Sequence, residues 1–137
     1  MKYLFVSIFV INMVSISCNR NTENCHDSIS IINNSGNAIY FSESFRYPDT
    51  LTLYPNPSLD PGYFKIISNS RKNDITRDCF ETEFQLQDKG IIMYYLFDAN
   101  TLETTPWDTI VKKYIILKRY DLSLQDMQNM NWTITYP

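Results

Sequence analysis

Glycine is scarce, with three residues in 137. A loop that cradles phosphate on successive backbone N–H groups needs glycine at several positions, so Gly-rich nucleotide loops are excluded. Histidine occurs once, as His26. Zinc wants three or four His, Cys or carboxylate ligands, and Cys25, His26 and Cys79 offer three at most. A Ser-His-Asp device needs a His held by packing and oriented by a third group. His26 falls in a polar stretch without periodicity, which reads as a tether and argues against catalysis there. Basic residues are also few, 12 against 15 acidic ones for a net charge of −3, so the basic face that nucleic acid requires is missing. No apolar run reaches the ~20 residues of a membrane-spanning helix, and there is neither an internal repeat nor a low-complexity tract. No cofactor or nucleic-acid partner is expected.

The opening residues carry the sharpest signal. Lys2 supplies one positive charge, and Tyr3–Val14 follows as an apolar run broken by Asn12. This is the charged start and short apolar core of a secretory signal peptide. Ser15-Ile16-Ser17-Cys18 then resembles the lipobox of bacterial lipoproteins in a loose form, with Ser15 where Leu is usual. The resemblance implies that the Cys18 thiol takes a diacylglyceryl group and that residues 1–17 are cut away. Two or three acyl chains, at ~0.8 kcal/mol per buried CH₂, anchor stably where one does not. Ordinary secretion with a structural Cys18, or an uncleaved anchor, are the alternatives. The expected organisation is a signal peptide over 1–17, a lipidated tether over 18–26 and one β-rich domain over 27–137.

Loss of residues 1–17 removes Lys2 alone among the charged residues, leaving 11 basic and 15 acidic residues and a net charge of −4. A chain of this size buries one adequate core. Ten Tyr, eight Phe and two Trp favour strands. Cys25 and Cys79 remain after Cys18, and in an oxidising compartment they read most simply as a disulfide. The enclosed loop of about 55 residues then contributes roughly 4 kcal/mol. Two free buried thiols and a metal pair are the competing readings.

Along the chain, Asp27–Ile32 and Ala38–Ser42 flank the turn cluster Asn33-Asn34-Ser35-Gly36-Asn37 and predict a β-hairpin. Thr50–Tyr54, between Pro48 and Pro55, can only be a short edge strand. Tyr63–Ile67 predicts a strand and Ser68–Asp78 a polar loop. Phe80, Thr82, Phe84 and Leu86 alternate with Glu81, Glu83 and Gln85; with the turn Asp88-Lys89-Gly90 and the apolar run Ile91–Phe97, they predict a second hairpin. Thr105-Pro106-Trp107-Asp108 opens a short helix to about Lys113. Tyr114–Leu122 predicts a strand, Ser123-Leu124-Gln125-Asp126 a capping box and helix, and Trp132, Ile134 and Tyr136 a final strand. The fold class expected is mainly β: a two-layer antiparallel sandwich, immunoglobulin-like in outline, with two short helices in the C-terminal half. The alternative is an α+β domain whose helices cover one face of a single sheet.

The pattern over Leu117–Met127, and again over Asn131–Pro137, resembles the ending of small uncharacterised lipoproteins of Bacteroidetes; Ile31–Ser35 and Pro48-Asp49-Thr50 look similar too. This resemblance implies a cell-envelope location, lipid-anchored at the outer membrane on its periplasmic or outer surface; the family has no established activity to carry over, and the function stays open. The resemblance also implies possible substrates of the phylum's O-glycosylation, which modifies Asp-Ser/Thr followed by a small apolar residue or Thr. Asp27-Ser28-Ile29, Asp49-Thr50-Leu51 and Asp108-Thr109-Ile110 match that pattern, with Thr50 the best placed and Ser28 and Thr109 inside predicted elements. An Asp closing a turn or capping a helix writes the same letters.

Two function classes follow. The first is a non-enzymatic envelope lipoprotein, a binding or structural accessory with an unknown protein or glycan partner, held to the membrane by its anchor. The second is a small carboxylate-dependent hydrolase, for which Glu81 and Glu83 would share one face of a strand, or a glycan-binding module stacking sugars on Trp107 and Trp132. The plainer expectation puts the two Glu on a solvated face and the two Trp in the core. An enzyme should show a concave pocket with convergent polar groups, and an accessory module a flat or apolar exposed patch.

Overall fold

Alternation builds the first sheet. In β1 (Ser28–Asn33), Ile29, Ile31 and Asn33 are buried while Ser28, Ser30 and Ile32 face the other way. The computed structural model describes residues 25–48 and 56–137; the export signal, Cys18, Asp49-Thr50-Leu51 and the Thr50–Tyr54 strand lie outside them. β1 is the centre of a three-stranded sheet. It runs antiparallel to β4 (Ser70–Ile75) on one side and parallel to β7 (Thr133–Tyr136) on the other. The second sheet is antiparallel throughout, in the order β3 (Lys65–Ile66), β2 (Ile39–Ser44), β5 (Ile91–Asp98), β6 (Lys118–Ser123).

The two sheets form the expected mainly-β sandwich. Between them lie Ile29, Ile31 and Ile134 from the first sheet and Phe41, Ile92 and Leu96 from the second. The far face of the second sheet is buried as well. There Tyr40, Met93, Tyr95 and Phe97 pack on α3 (Ala99–Thr104) and α4 (Trp107–Lys113) through Leu102 and Ile110. β5, covered on both faces, accounts for the seven-residue apolar run. Strand membership departs from the immunoglobulin pattern, which puts strands one, two, four and five in one sheet; here strands one, four and seven share a sheet.

Several local expectations are corrected. β1 and β2 do not form a hairpin but belong to different sheets. The Asn33–Asn37 cluster carries the chain across the sandwich. The fully buried Asn33 side chain accepts from Ser35 and donates to the carbonyls of Asn37, Ile66 and Ile67. Phe80–Leu86 is a helix, α2, and not the first arm of a hairpin. Phe80 and Phe84 satisfy helical i, i+4 spacing as well as strand alternation, and only those two are buried, while Leu86 is exposed. Glu81 and Glu83 in its first turn suit the helix dipole. Within the expected Tyr63–Ile67 strand, Asp60 caps a one-turn helix, α1 (Pro61–Phe64), with Pro61 at its first position, and only Lys65–Ile66 is extended. The expected loop at Ser68–Asp78 contains β4. The helix over 107–113 starts one residue late, with Pro106 as cap, α3 was not anticipated, and Tyr114–Leu117 precedes β6 rather than joining it. The capping box before α5 (Leu124–Asn129) forms as read, and Gly90 takes the positive φ of its turn. Among the described residues no helix is long and apolar enough to cross a membrane.

Candidate functional site

Because β1 shows only one face to the core, its other face is open. An open groove of about 660 Å³ lies there, within the ~300–1,000 Å³ typical of small-ligand sites. Ser30 stands opposite Asn73 of β4 and opposite Thr133 of β7. Directly opposed residues share a face, so the three make one polar row across the sheet. The side chains of Ser28, Ser30, Arg71, Asn73, Gln128 and Asn131 line the groove and make no hydrogen bond or ion pair among the described residues. No Asp or Glu lines it.

One end of the groove is closed by a stack. The His26 ring lies over the Trp132 indole at 4.1 Å between centroids and 16° between planes. His26 Nδ1 meets Glu81 Oε1 at 2.5 Å, and its backbone N–H donates to Oε2 at 2.9 Å. Burial raises the Glu81 carboxyl, but the hydrogen bonds from His26 outweigh it and hold the group below its usual range. A carboxylate on Nδ1 fixes the tautomer and leaves Nε2 as the ring's free nitrogen. Asn131 and Trp132 both adopt positive φ, 48° and 55°, an uncommon conformation for non-glycine residues and a costly one for a bulky side chain. This bend swings the indole under His26.

The Cys25–Cys79 disulfide holds this corner, with Cα atoms 5.0 Å apart. That decides among the three readings of the two cysteines. Cys79 caps α2, Phe80 N–H donates to the His26 carbonyl at 2.8 Å, and Glu81 follows one residue on. His26 is therefore fixed by packing and oriented by a carboxylate, and the expectation of a loose tether at this position is corrected. Its context in sequence, polar and aperiodic, carried no sign of a partner 55 residues away.

Glu81 and Glu83 do not share a face. Residues two apart on a helix point in different directions: Glu81 binds His26, whereas Glu83 adds its negative field to a second cluster between the sheets. There Asp74 (β4), only 2 % exposed, accepts from the Tyr63 hydroxyl (α1) at 2.8 Å and from the Tyr94 hydroxyl (β5) at 2.7 Å. Glu43 (β2), opposite Tyr94 in the second sheet, hydrogen-bonds Asp74 as well. Burial first, then the bond to Asp74 and the charges of Asp74 and Glu83, push the Glu43 carboxyl up to about 9. Glu43 is thus a protonated donor at neutral pH. Burial and the charges of Asp74 and Glu43 likewise raise Tyr94, and burial leads in raising Tyr63 to about 12. The carboxylate oxygens of Asp74 are occupied by fixed hydroxyls. A glycosidase pair needs ~5–9.5 Å between its carboxyl groups for substrate or water, and this pair is in direct contact.

The remaining candidates are scattered. Trp107 packs edge-on against Phe97, and Trp132 is 9 % exposed under His26, so the two make no exposed aromatic strip. Ser28 lines the groove, Thr109 is half-buried in α4, and Thr50 lies outside the described residues. Among the described residues no group of three or more His, Cys, Asp or Glu is placed to hold a metal. Sequence reasoning missed Arg71, Asn73, Gln128 and Asn131. β4 has polar residues on both faces, so no apolar alternation marked it as a strand. No family model matches the chain, and no curated protein or solved structure does either.

Proposed function

We propose that this chain is a non-enzymatic lipoprotein of the cell envelope, anchored through Cys18, whose folded domain binds a polar ligand in the groove over β4, β1 and β7. One observation carries the reading. Six side chains around the groove, four on the sheet with Gln128 of α5 and Asn131 of the following turn, offer donors and acceptors that nothing among the described residues uses. Hydroxyl-rich ligands such as glycans are held by such convergent polar groups. The groove shares convergence with an enzyme pocket, but it is open and no carboxylate lines it to serve as acid or base. The buried carboxyl pair elsewhere is saturated internally. Recognition then rests on hydrogen bonds rather than stacking, since His26 already covers Trp132.

Titration of isotope-labelled protein with an oligosaccharide panel tests the binding half. Shifts confined to β1, β4, β7 and the Gln128–Thr133 segment support it, and a saturable ligand that shifts only other surfaces overturns it. The anchoring half is tested by labelled fatty acid. Incorporation should vanish in Cys18→Ser, and unchanged incorporation in that variant overturns the anchor.

A further inference from the structure

The absence of acidic side chains separates this groove from three other clefts among the described residues. The protein is acidic overall, 15 Asp and Glu against 12 Lys and Arg. Asp88 lines the cleft beside Phe45 together with Arg46 and Lys89, and Asp98 and Glu103 line the cleft beside Asn37. In the second of these the cation, Lys65, is paired with Glu103. The groove over the first sheet differs in having no carboxylate beside its cation. It contains Arg71 and His26 and no acidic side chain, and Arg71 has no ion pair among the described residues. An arginine fork presents several N–H donors in a plane that fits a carboxylate or phosphate oxyanion. Arg71 sits two residues from Asn73 on β4, so both side chains rise from the same face about 7 Å apart along the strand. An oxyanion on Arg71 therefore leaves the ring that carries it within reach of the Asn73–Ser30–Thr133 row. At the closed end, His26 Nε2 is a further polar contact, held in place by Glu81 on Nδ1.

We infer that the groove selects an acidic saccharide, whose carboxylate or phosphate oxyanion docks on Arg71 while its hydroxyls meet the Asn73–Ser30–Thr133 row. The inference rests on the proposed binding role of the groove and adds the charge of the ligand. The test is a glycan array of uronate-bearing and phosphate-bearing oligosaccharides, each beside its methyl-esterified or dephosphorylated neutral counterpart. It is probed with the full chain and with Arg71→Gln, both checked for an unchanged melting temperature. The expected result is binding to acidic members at least roughly tenfold tighter than to their neutral counterparts, weakened by added salt and reduced to the neutral level in Arg71→Gln. Preference for the uronates or for the phosphates identifies the oxyanion, and either supports the inference. Equal binding to acidic and neutral members overturns it and leaves the groove reading standing, as does an acidic preference that survives Arg71→Gln. Binding to no member overturns both.

Discussion

Asn73 and Asp74 are neighbours on one strand and lead opposite lives. Asn73 points out of the sandwich into a groove where its amide has no partner among the described residues. Asp74 points in, where its oxygens take hydroxyls from Tyr63 and Tyr94 and its carboxylate also meets Glu43. The inner cluster is polar matter used as a joint. It binds β4 of the first sheet to β2 and β5 of the second and to α1. In the outer row Asn73 and Ser30 are polar matter left unused among the described residues, and Thr133 bonds only to the neighbouring Asn131 carbonyl. Polar side chains saturated by their own protein stabilise a fold, and those left open are available to something else.

The sharpest way to break this contrast is Asp74→Ala. It strands the buried Tyr94 hydroxyl, the half-buried Tyr63 hydroxyl and the Glu43 carboxyl at once, and should cost about 3–5 kcal/mol in urea unfolding, with Asp74→Asn recovering part of it. Loss under about 1 kcal/mol would show that the cluster is not a joint. Next is the bridge at the corner of the groove. Cys25→Ser with Cys79→Ser should lower stability by roughly 2–4 kcal/mol, the loop-closure contribution of a disulfide of this span, and should weaken ligand binding because His26 and Glu81 lose their common anchor. A double variant that melts like the parent would separate the bridge from the fold.

The third effect is one of pH. The Glu43 carboxyl titrates near 9 in the folded protein and near 4.3 when unfolded. A raised carboxyl pKa means that folding favours the protonated form. Its stabilising contribution is complete below about pH 4 and shrinks as pH rises towards 9. Melting temperature should therefore fall between pH 5 and 9 more steeply in the parent than in Glu43→Gln, which keeps a donor towards Asp74 without the titration. The difference should be a few kcal/mol over that window. Parallel pH profiles would remove Glu43 from the cluster. The smallest effect belongs to the outer row. Asn73→Ala and Ser30→Ala should each change stability by no more than about 0.5 kcal/mol, as exposed substitutions do, while lowering ligand affinity severalfold. A large loss of stability in either would mean that the groove is structural.

The same contrast explains what was legible in the sequence. The sandwich, the long run of β5 and the capping box at Ser123 follow from local patterns, and the Cys25–Cys79 bridge is the simplest of the three readings its cysteines allowed. Apolar alternation, a buried strand and a cap each leave local marks. Phe80–Leu86 reads as a strand because two buried residues four apart satisfy both periods, and the exposed Leu86 imitates a fourth beat of alternation. The site was the least legible part. β4 carries Asn73 and Asp74 side by side, and nothing in two polar letters says which faces water. His26 needed Glu81 and Trp132, partners 55 and 106 residues away, to become a fixed group.

The parallel pairing of β1 with β7 has a further consequence for how the protein comes into being. Ser30 pairs with Thr133, roughly a hundred residues later in the chain. Contacts of such long range close late in folding. A chain emerging from a ribosome or a translocation pore offers β1 to β4 first, and one flank of β1 stays a bare template until 133–136 arrive. The floor of the groove is therefore the last part of the sheet to be laid. A copy cut short before residue 133 lacks β7. It has no third strand under the groove and displays an unpaired edge, which invites proteolysis or aggregation. The groove thus has its full floor only once residues 133–136 are in place.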